Sequence, residues 1–328
     1  MLGMMVASLI KKDFQPVFLS LLIRINYLHC STMSFILKRM HPMLRKSLSL
    51  LLLAGLRLFA QNTEGAERRE NTDRKWEAAI DFQSRYIWRG QAYGGSTTAV
   101  QPSFAYNLIG ELTVGIWATQ NFRCKDYHTD GTSDGYREFD FGLDYQFADF
   151  LSFGLWQYYW PALQQDLEAD TRFFNYSTNS VTTVDAGLTF DFSEDYRLAF
   201  QAALNTFIAG NDFRYDSAGD NPVQNFTTYA EIGYVFKDVF DRISTKTFRS
   251  INITPVVGAV LNNQAAYYAA GDYNKISFIN LAVAASREFD LGFGVSMPVT
   301  INYTHNGAAA NTSLEGRDFL TATVSIKY

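Results

Sequence analysis

The chain has 328 residues and a formal net charge of −5 at pH 7. It offers no basic patch, so nucleic acid is excluded as an expected partner. Aromatic residues make up 16% of the sequence, with 27 Phe and 19 Tyr, which is high for a soluble domain, whereas a mean hydropathy of −0.11 is too low for a protein built of membrane-spanning helices. The two cysteines, Cys30 and Cys124, form no disulfide framework and no zinc spacing, so neither a metal nor a cofactor is expected.

The N-terminal part of the sequence is typical of an exported protein. Residues 43–60 have a basic start, a short apolar core and a small residue at the end, which predicts a cleaved Sec-type signal peptide. Residues 1–42 make no sense upstream of such a signal, and we interpret them as a spurious upstream extension, the alternative being a membrane anchor. Residues 61–74 are then a short periplasmic N-terminal segment, and 75–328 form the main domain.

From residue 75 to the end, apolar and polar side chains alternate in runs of about ten residues. Such runs predict strands with one face in lipid and the other in a lumen. In hydrocarbon only helices and closed barrels satisfy all backbone N–H and C=O groups, so the strands must close into a barrel. The predicted fold is all-β, a transmembrane antiparallel barrel of about 12 strands, or 14 if a long connection contains a hairpin. The twelve strands are expected at 76–88, 97–108, 111–122, 136–147, 150–160, 181–192, 195–208, 224–236, 250–261, 275–287, 291–304 and 318–328.

The connections alternate between short and long, which is typical of barrels with short periplasmic turns and long external loops. The segment 237–248 breaks this rule, because it is long where a short turn is expected. The tight turns are Ile109-Gly110, Ala148-Asp149, Ser193-Glu194 and Glu288–Asp290; the long loops are 89–96, 123–135, 161–180, 209–223, 262–274 and 305–317.

The phase of the alternation assigns a face to each side chain. In the first strand, charged residues such as Asp81 and Arg85 alternate with apolar ones such as Ile80 and Phe82. The opposite assignment would place charges in lipid, at about 2–4 kcal/mol for each basic residue near the midplane. Aromatic side chains at strand ends are expected in a girdle at the membrane interface. The girdle candidates are Trp76, Tyr86, Trp88 and Tyr328.

The inward charges are the candidate functional residues. An acid-rich wall in an open lumen would favour cations, whereas the same charges could instead pair with one another and rigidify a closed barrel. The pore-lining candidates are Asp81, Arg85, Arg89, Glu138, Asp140, Asp144, Asp185, Arg197 and Glu231.

The sequence contains few residues that indicate an enzyme. The segment Tyr303–Gly307 contains His305 and is similar to a fragment of an outer-membrane phospholipase site, but no serine lies two residues beyond the histidine. A histidine beside Asn-Gly is usually part of a turn. The loop 123–135 contains His128 and Cys124, for which a solvated loop is a better interpretation than a metal site. We therefore expect no enzyme.

A resemblance to a known family rests on three segments. They are Ser84-Arg-Tyr-Ile-Trp-Arg-Gly90, Ala99-Val-Gln-Pro-Ser-Phe-Ala-Tyr106 and Val114-Gly-Ile-Trp-Ala118. Together they resemble the TorF-type family of predicted porins, outer-membrane proteins with a signature near Y-[VI]-W-R-G in the first strand. The resemblance implies a barrel in the outer membrane of a Gram-negative bacterium, with lipid around it.

The expected function is a porin-like channel for passive diffusion of small hydrophilic solutes or ions. The alternative is a closed structural or surface-binding barrel that acts through its external loops. Loop 161–180, with Phe173, Phe174 and Tyr176, could reach a partner or fold inward as a constriction. An outer-membrane lipid hydrolase is the third possibility, and the oligomeric state is not fixed by the sequence.

Overall fold

The computed structural model describes residues 75–122, 136–161, 169–192, 199–216, 218–241, 250–262, 268, 276–308 and 316–328. The chain divides into the units Met1–Asp73 and Arg74–Tyr328, and all described residues belong to the second unit. The predictions for 1–42, 43–60 and 61–74 lie outside the described residues. The described part of the chain contains no helix long and apolar enough to cross a membrane.

Sixteen strands are present in the described residues. They are β1 Trp76–Gln83, β2 Tyr86–Trp88, β3 Gln91–Tyr93, β4 Ala99–Ile109, β5 Leu112–Asn121, β6 Arg137–Ala148, β7 Leu151–Tyr159, β8 Thr182–Asp191, β9 Phe200–Gly210, β10 Phe213–Arg214, β11 Val223–Gln224, β12 Thr228–Tyr234, β13 Asn252–Val260, β14 Ser277–Gly292, β15 Val295–His305 and β16 Asp318–Lys327.

Twelve of these strands form one closed antiparallel barrel, as the alternation predicts. Its order is β1-β16-β15-β14-β13-β12-β9-β8-β7-β6-β5-β4, and the pairs β2-β3 and β10-β11 form separate two-stranded sheets. The barrel closes where β1 pairs with β16, with Ile80 opposite Ile326. Closure leaves the wall with no edge strand, so every wall strand has a neighbour on both sides.

The outer face of the barrel is apolar along every wall strand that alternates clearly. On β16 the outward side chains Leu320, Val324 and Ile326 are exposed, whereas the intervening Thr321 and Ser325 are buried. The same alternation separates outward from inward residues on β6. A continuous apolar surface of this kind is stable in lipid and not in water, so the outer face is that of a membrane-spanning barrel.

Aromatic side chains gather at the end of the barrel that carries the short turns. The Trp76 and Tyr328 rings lie 4.8 Å apart where β1 meets the end of the chain. Further contacts at the same end join Tyr145 to Phe147, Phe150 to Phe192, Phe192 to Phe200, and Tyr234 to Phe236. Amphipathic rings are favoured at a membrane interface, and an aromatic girdle would occupy this position.

Two wall strands, β1 and β14, end five residues away from their predicted ends at 88 and 287. The first wall strand ends at Gln83, not at residue 88, because the chain leaves the wall at Ser84 and its alternation continues in the separate strand β2. The turn predicted at Glu288–Asp290 is also wrong, since these residues are paired with Ser296–Pro298 inside the sheet. The chain turns instead at Phe293-Gly294, where both residues have positive φ, the geometry of a hairpin turn that glycine favours. The predicted turn Ser193-Glu194 and part of 237–248 lie outside the described residues.

A candidate lumen site and the hairpin that fills it

The strands β2 and β3 form a tight hairpin whose turn is Arg89-Gly90. Both turn residues have positive φ, 46° for Arg89 and 81° for Gly90, which is the type I′ geometry of two-residue hairpins. Glycine is required at the second position for a further reason, since a Cβ on Gly90 would lie 1.9 Å from the backbone oxygen of Ile279. The turn is therefore pressed against the start of β14.

Contacts of this hairpin with many wall strands place it inside the lumen. Tyr86 donates a hydrogen bond to Glu138 on β6, 3.3 Å away, and its ring lies 5.6 Å from that of Trp117 on β5. The Trp88 ring meets Tyr158 on β7 edge-on at 5.8 Å. Further round the barrel, Asn306, which follows β15, donates a hydrogen bond to the Gly90 carbonyl at 3.0 Å. Only an element that crosses the lumen can touch both sides of a closed wall.

Arg89, at the tip of the hairpin, is held by a carboxylate and by aromatic faces. Its guanidinium lies 2.9 Å from Asp185 on β8, with exposed side-chain fractions of 13% and 2%. It also donates a hydrogen bond to the Tyr268 hydroxyl and lies 5.0 Å from the centre of the Tyr229 ring on β12. Tyr158 donates to the same Asp185 oxygen at 2.9 Å. We call Asp185, Tyr158, Tyr229 and Tyr268 the Arg89 site.

Tyr268 packs against the other aromatic rings at the Arg89 site. Its ring stacks on those of Trp88, Phe207 and Tyr229 at centroid distances of 5.4, 5.4 and 5.5 Å. Tyr268 is 1% exposed, so the connection between β13 and β14 also places a side chain in the lumen. A guanidinium among aromatic faces is stabilised electrostatically, more strongly when water is excluded.

A cavity of about 120 Å³ lies beside the Arg89 site, on the side of the short turns. It is lined by Asp144, Gly154, Trp156, Tyr158, Asp185, Gly187, Thr189 and Asn205. The Trp156 ring lies flat on the wall, because a Cβ on Gly115 or Gly142 would come within 2.4–2.8 Å of it. Its indole N–H donates to Asp144 at 3.1 Å. These glycines on inward positions leave room for the indole ring of Trp156.

The other predicted pore-lining carboxylates also face inward. Glu138 accepts hydrogen bonds from Tyr86 and Tyr136, and Glu231 accepts from Asn280 at 2.9 Å. Asp140 is 6% exposed beside Glu138. Asp81 lies on β1 opposite Gln101 and Ser325, and its Oδ1 is buried with no hydrogen-bond partner among the residues that the structure describes. Arg85 lies over the Phe319 ring at 4.8 Å, and Arg197 lies outside the described residues.

Two of the four girdle predictions are wrong. Tyr86 and Trp88 do not face lipid: Tyr86 is 6% exposed and packs in a buried cluster with Ala99, Tyr136, Trp160 and Val181, against which Trp88 also lies. The physical reason is that they belong to the luminal hairpin, where alternation continues although the wall strand has ended. Trp76 and Tyr328 are 39% and 40% exposed on the outer face, and their place at the membrane interface stays a prediction.

The loop between β7 and β8 does not enter the lumen through its aromatic residues. Phe173 packs on Phe139, Phe141 and Tyr159 at 4.9–6.1 Å, and these are outward residues of β6 and β7. Gln157 donates to the Phe173 carbonyl and accepts from Tyr176. The described part of this loop therefore lies against the outer wall, and an inward constriction by Phe173 is excluded. Phe174 is 71% exposed.

His305 has partners but no nucleophile among them. Its Nδ1 lies 2.8 Å from Asp318, which also accepts a hydrogen bond from Tyr303 at 2.6 Å. Across the described residues no group of three or more His, Cys, Asp or Glu side chains could hold a metal ion, and His128 with Cys124 lies outside that part of the chain.

Two carboxylates in the connection between β9 and β12 have pKa values shifted in opposite directions. Burial raises the pKa of Asp212 above its usual value, although hydrogen bonds from Thr227 and Gln224 oppose this. Hydrogen bonds from the Asn221 side chain and from backbone amides hold the pKa of Asp216 below its usual value. Asp216 is therefore an acceptor that organises its loop.

Part of this site has no signal in the amino-acid sequence. Trp156 and Tyr158 share an inward phase on β7, so the alternation could have identified them, as it could Tyr229. Tyr268 lies in a loop, where apolar and polar residues do not alternate. Its packing against Trp88 also could not be predicted, because the predicted wall strand 76–88 includes the first strand of the luminal hairpin.

Comparisons with known proteins give no family and only distant structural likenesses. No protein-family model matches the chain, and no curated protein matches it. Among solved structures it is similar to the NanC porin, with a TM-score of 0.40, 8% identity and coverage of 77% of this chain and 98% of that one. For an outer membrane channel from Pseudomonas putida F1 the TM-score is 0.41 and the identity 9%, with coverage of 80% of this chain and 99% of that one. For LpxR from Salmonella typhimurium the TM-score is 0.37 and the identity 10%, with coverage of 77% of this chain and 99% of that one. Each TM-score is below 0.5, so these likenesses decide nothing about substrate or activity.

Proposed function

We propose that the protein is an outer-membrane channel for small hydrophilic solutes, with a preference for cations. The observation that carries the proposal is the acid-rich inner wall around the cavity. Asp144 and Asp185 line it, and none of its lining residues is basic. Carboxylates in a narrow lumen with low-dielectric walls raise the local concentration of cations and oppose the entry of anions.

The wider distribution of inward charge supports the same preference. Glu138, Asp140 and Glu231 add carboxylates to the lumen face of β6 and β12. Arg89 is the cation of the hairpin, and its charge is paired with Asp185. The path that we propose runs past Trp156 and Asp144, and the hairpin narrows it at the end that carries the long loops.

The test is the reversal potential of the purified protein in a planar bilayer under a salt gradient. We expect discrete conductance steps and a cation-favouring reversal potential. Asp144→Asn should shift this potential toward zero, because it removes a carboxylate from the conduit. Asp149→Asn removes a carboxylate from the exposed turn after β6 and is the matched control, for which no shift is expected. Anion preference, or no current from a folded barrel, would contradict the proposal.

A closed barrel that acts through its loops is the second candidate, and the aromatic packing around Arg89 favours it. Phe207, Tyr229, Val260, Tyr268 and Ile279 form a cluster within the barrel, and each is 0–1% exposed. A permanently filled lumen would give a folded barrel, seen as a heat-modifiable gel band, that stays electrically silent in wild-type and hairpin-shortened forms alike.

A further inference from the structure

The Arg89 site is built almost entirely by residues outside the hairpin that fills it. Asp185, Tyr158 and Tyr229 belong to the wall strands β8, β7 and β12, and Tyr268 to the loop before β14. A buried carboxylate flanked by aromatic faces is a receptor for a guanidinium or an ammonium group. Arg89 therefore acts as an internal ligand. The way in which its guanidinium is bound shows that this receptor accepts a guanidinium group.

The adjoining cavity gives an external cation a place beside the same carboxylate. It shares Asp185 and Tyr158 with the Arg89 site and adds the Asp144 carboxylate and the Trp156 ring. One oxygen of Asp185, Oδ2, accepts from both Arg89 and Tyr158. The other oxygen, Oδ1, is buried with no hydrogen-bond partner in the described structure. Asp185 thus lines the cavity and has one carboxylate oxygen with unused acceptor capacity among the described residues.

The hairpin that holds Arg89 is attached in a way that permits it to leave. The strands β2 and β3 pair with each other and not with a wall strand. Its attachments include hydrogen bonds from the side chains of Asn306 and Asn121 to the carbonyls of Gly90 and Gly94. No sheet ladder has to break when the tip moves, and the wall remains closed without it.

We propose that the Arg89 site and its cavity bind the guanidinium or ammonium group of a solute, which displaces Arg89 and releases the hairpin. This inference rests on the proposed channel function and names its substrate class as organic cations. Arg89 competes with the solute while the hairpin is seated, so the apparent affinity is the intrinsic affinity multiplied by the fraction of molecules in which Arg89 has left the site.

Methylguanidinium is a suitable probe, titrated against the detergent-solubilised full-length protein at constant ionic strength with sodium chloride as the reference salt. The readout is intrinsic fluorescence, because Trp88 and Trp156 lie at the site and at the cavity. Arg89→Gln should bind the probe about tenfold more tightly than wild type, and Asp185→Asn about tenfold more weakly. Asp149→Asn should match wild type.

Gly90→Ala provides a second, steric way to remove the competitor. It keeps every charge of the site, but its Cβ collides with the backbone of Ile279. It should therefore also bind the probe more tightly than wild type, and it decides the question if Arg89→Gln does not fold. The inference is overturned if neither folded variant binds more tightly than wild type, or if Asp185→Asn binds equally well.

The same variants separate this inference from the channel proposal. Tighter binding by Arg89→Gln with no current from any variant would refute the channel and retain the cation site. Cation-selective current with unchanged probe binding in the variants would retain the channel and refute the cation site.

Discussion

At the residue scale, Gly90 combines two demands that no other residue type meets. Its φ of 81° favours glycine, and its missing Cβ allows the turn to approach Ile279. We predict that Gly90→Ala leaves the barrel folded but unseats the hairpin. Limited trypsin digestion should then cut after Arg89, which we expect to be protected in wild type because its side chain is 13% exposed.

Gly110→Ala is the control for the trypsin experiment. Gly110 also has a positive φ, 51°, but a Cβ there would meet nothing within 4 Å. It should show the wild-type digestion pattern after Arg89. Equal protection of Arg89 in wild type and Gly90→Ala would mean that the hairpin stays seated despite the steric conflict.

Gly142 is the second glycine whose small size the structure uses. A Cβ there would lie 2.4 Å from the Trp156 ring and 2.8 Å from the Leu155 carbonyl. We expect Gly142→Ala to lower the free energy of unfolding by about 1–3 kcal/mol, the usual cost of overpacking. Urea unfolding in lipid vesicles measures this change. At Gly233 a Cβ would have its nearest contacts at 3.3 Å, so Gly233→Ala should lower the free energy of unfolding by clearly less. Equal losses of stability in the two variants would contradict the role given to Trp156.

At the element scale, alternation identified all twelve wall strands because it has a direct physical cause. Inward positions carry most of the polar and small side chains and outward positions are mostly apolar, so a period of two runs along each strand. The same period cannot tell a wall strand from a luminal one. Tyr86 and Trp88 continue the alternation of β1, yet they pair only with β3, and the sequence therefore predicted a wall strand that was five residues too long.

The lipid-facing assignment of β16 is open to a direct test. Val324 is 38% exposed on the outer face, and Val324→Arg should lower the free energy of unfolding in a bilayer by about 2–4 kcal/mol if it lies near the midplane. Thr323→Arg, on the neighbouring inward position, should lower the free energy of unfolding by less than Val324→Arg does, because its side chain enters the lumen. Folding yield in vesicles across a urea series measures both, and a larger loss for Thr323→Arg would reverse the face assignment.

The loop between β10 and β11 should depend on pH through Asp216. This carboxylate accepts hydrogen bonds from the amides of Ala218 and Asp220 and from the Asn221 side chain. Because the folded pKa lies below the usual value, the loop is stabilised above about pH 4 and loses this stabilisation as the pH falls through the lowered pKa. As the pH falls through this range, hydrogen exchange of the Ala218 and Asp220 amides should become faster in wild type. In Asp216→Asn the exchange rates of these amides should lack this pH dependence. Parallel behaviour of both proteins would exclude Asp216 as the cause.

At the scale of the whole molecule, a closed wall surrounds a lumen that a single hairpin divides. Toward the short turns the cavity beside Asp144 and Trp156 remains, and toward the long loops the hairpin and Tyr268 fill the interior with aromatic rings. The sequence predicted the wall, its strand number and the inward carboxylates. It could not predict the filling, because contacts such as Arg89 with Asp185 join residues 96 positions apart and leave no periodic trace.

The most direct test of this account is the single-channel conductance of the purified protein and of a variant in which residues 85–97 are replaced by a flexible Gly-Ser linker. Wild type should give small cation-favouring steps, and the shortened variant should give clearly larger steps with the same sign of reversal potential, because the wall and its carboxylates are retained. A shortened variant that runs as a folded, heat-modifiable band and yet carries no more current than wild type would contradict the central claim that this hairpin narrows a cation-conducting lumen.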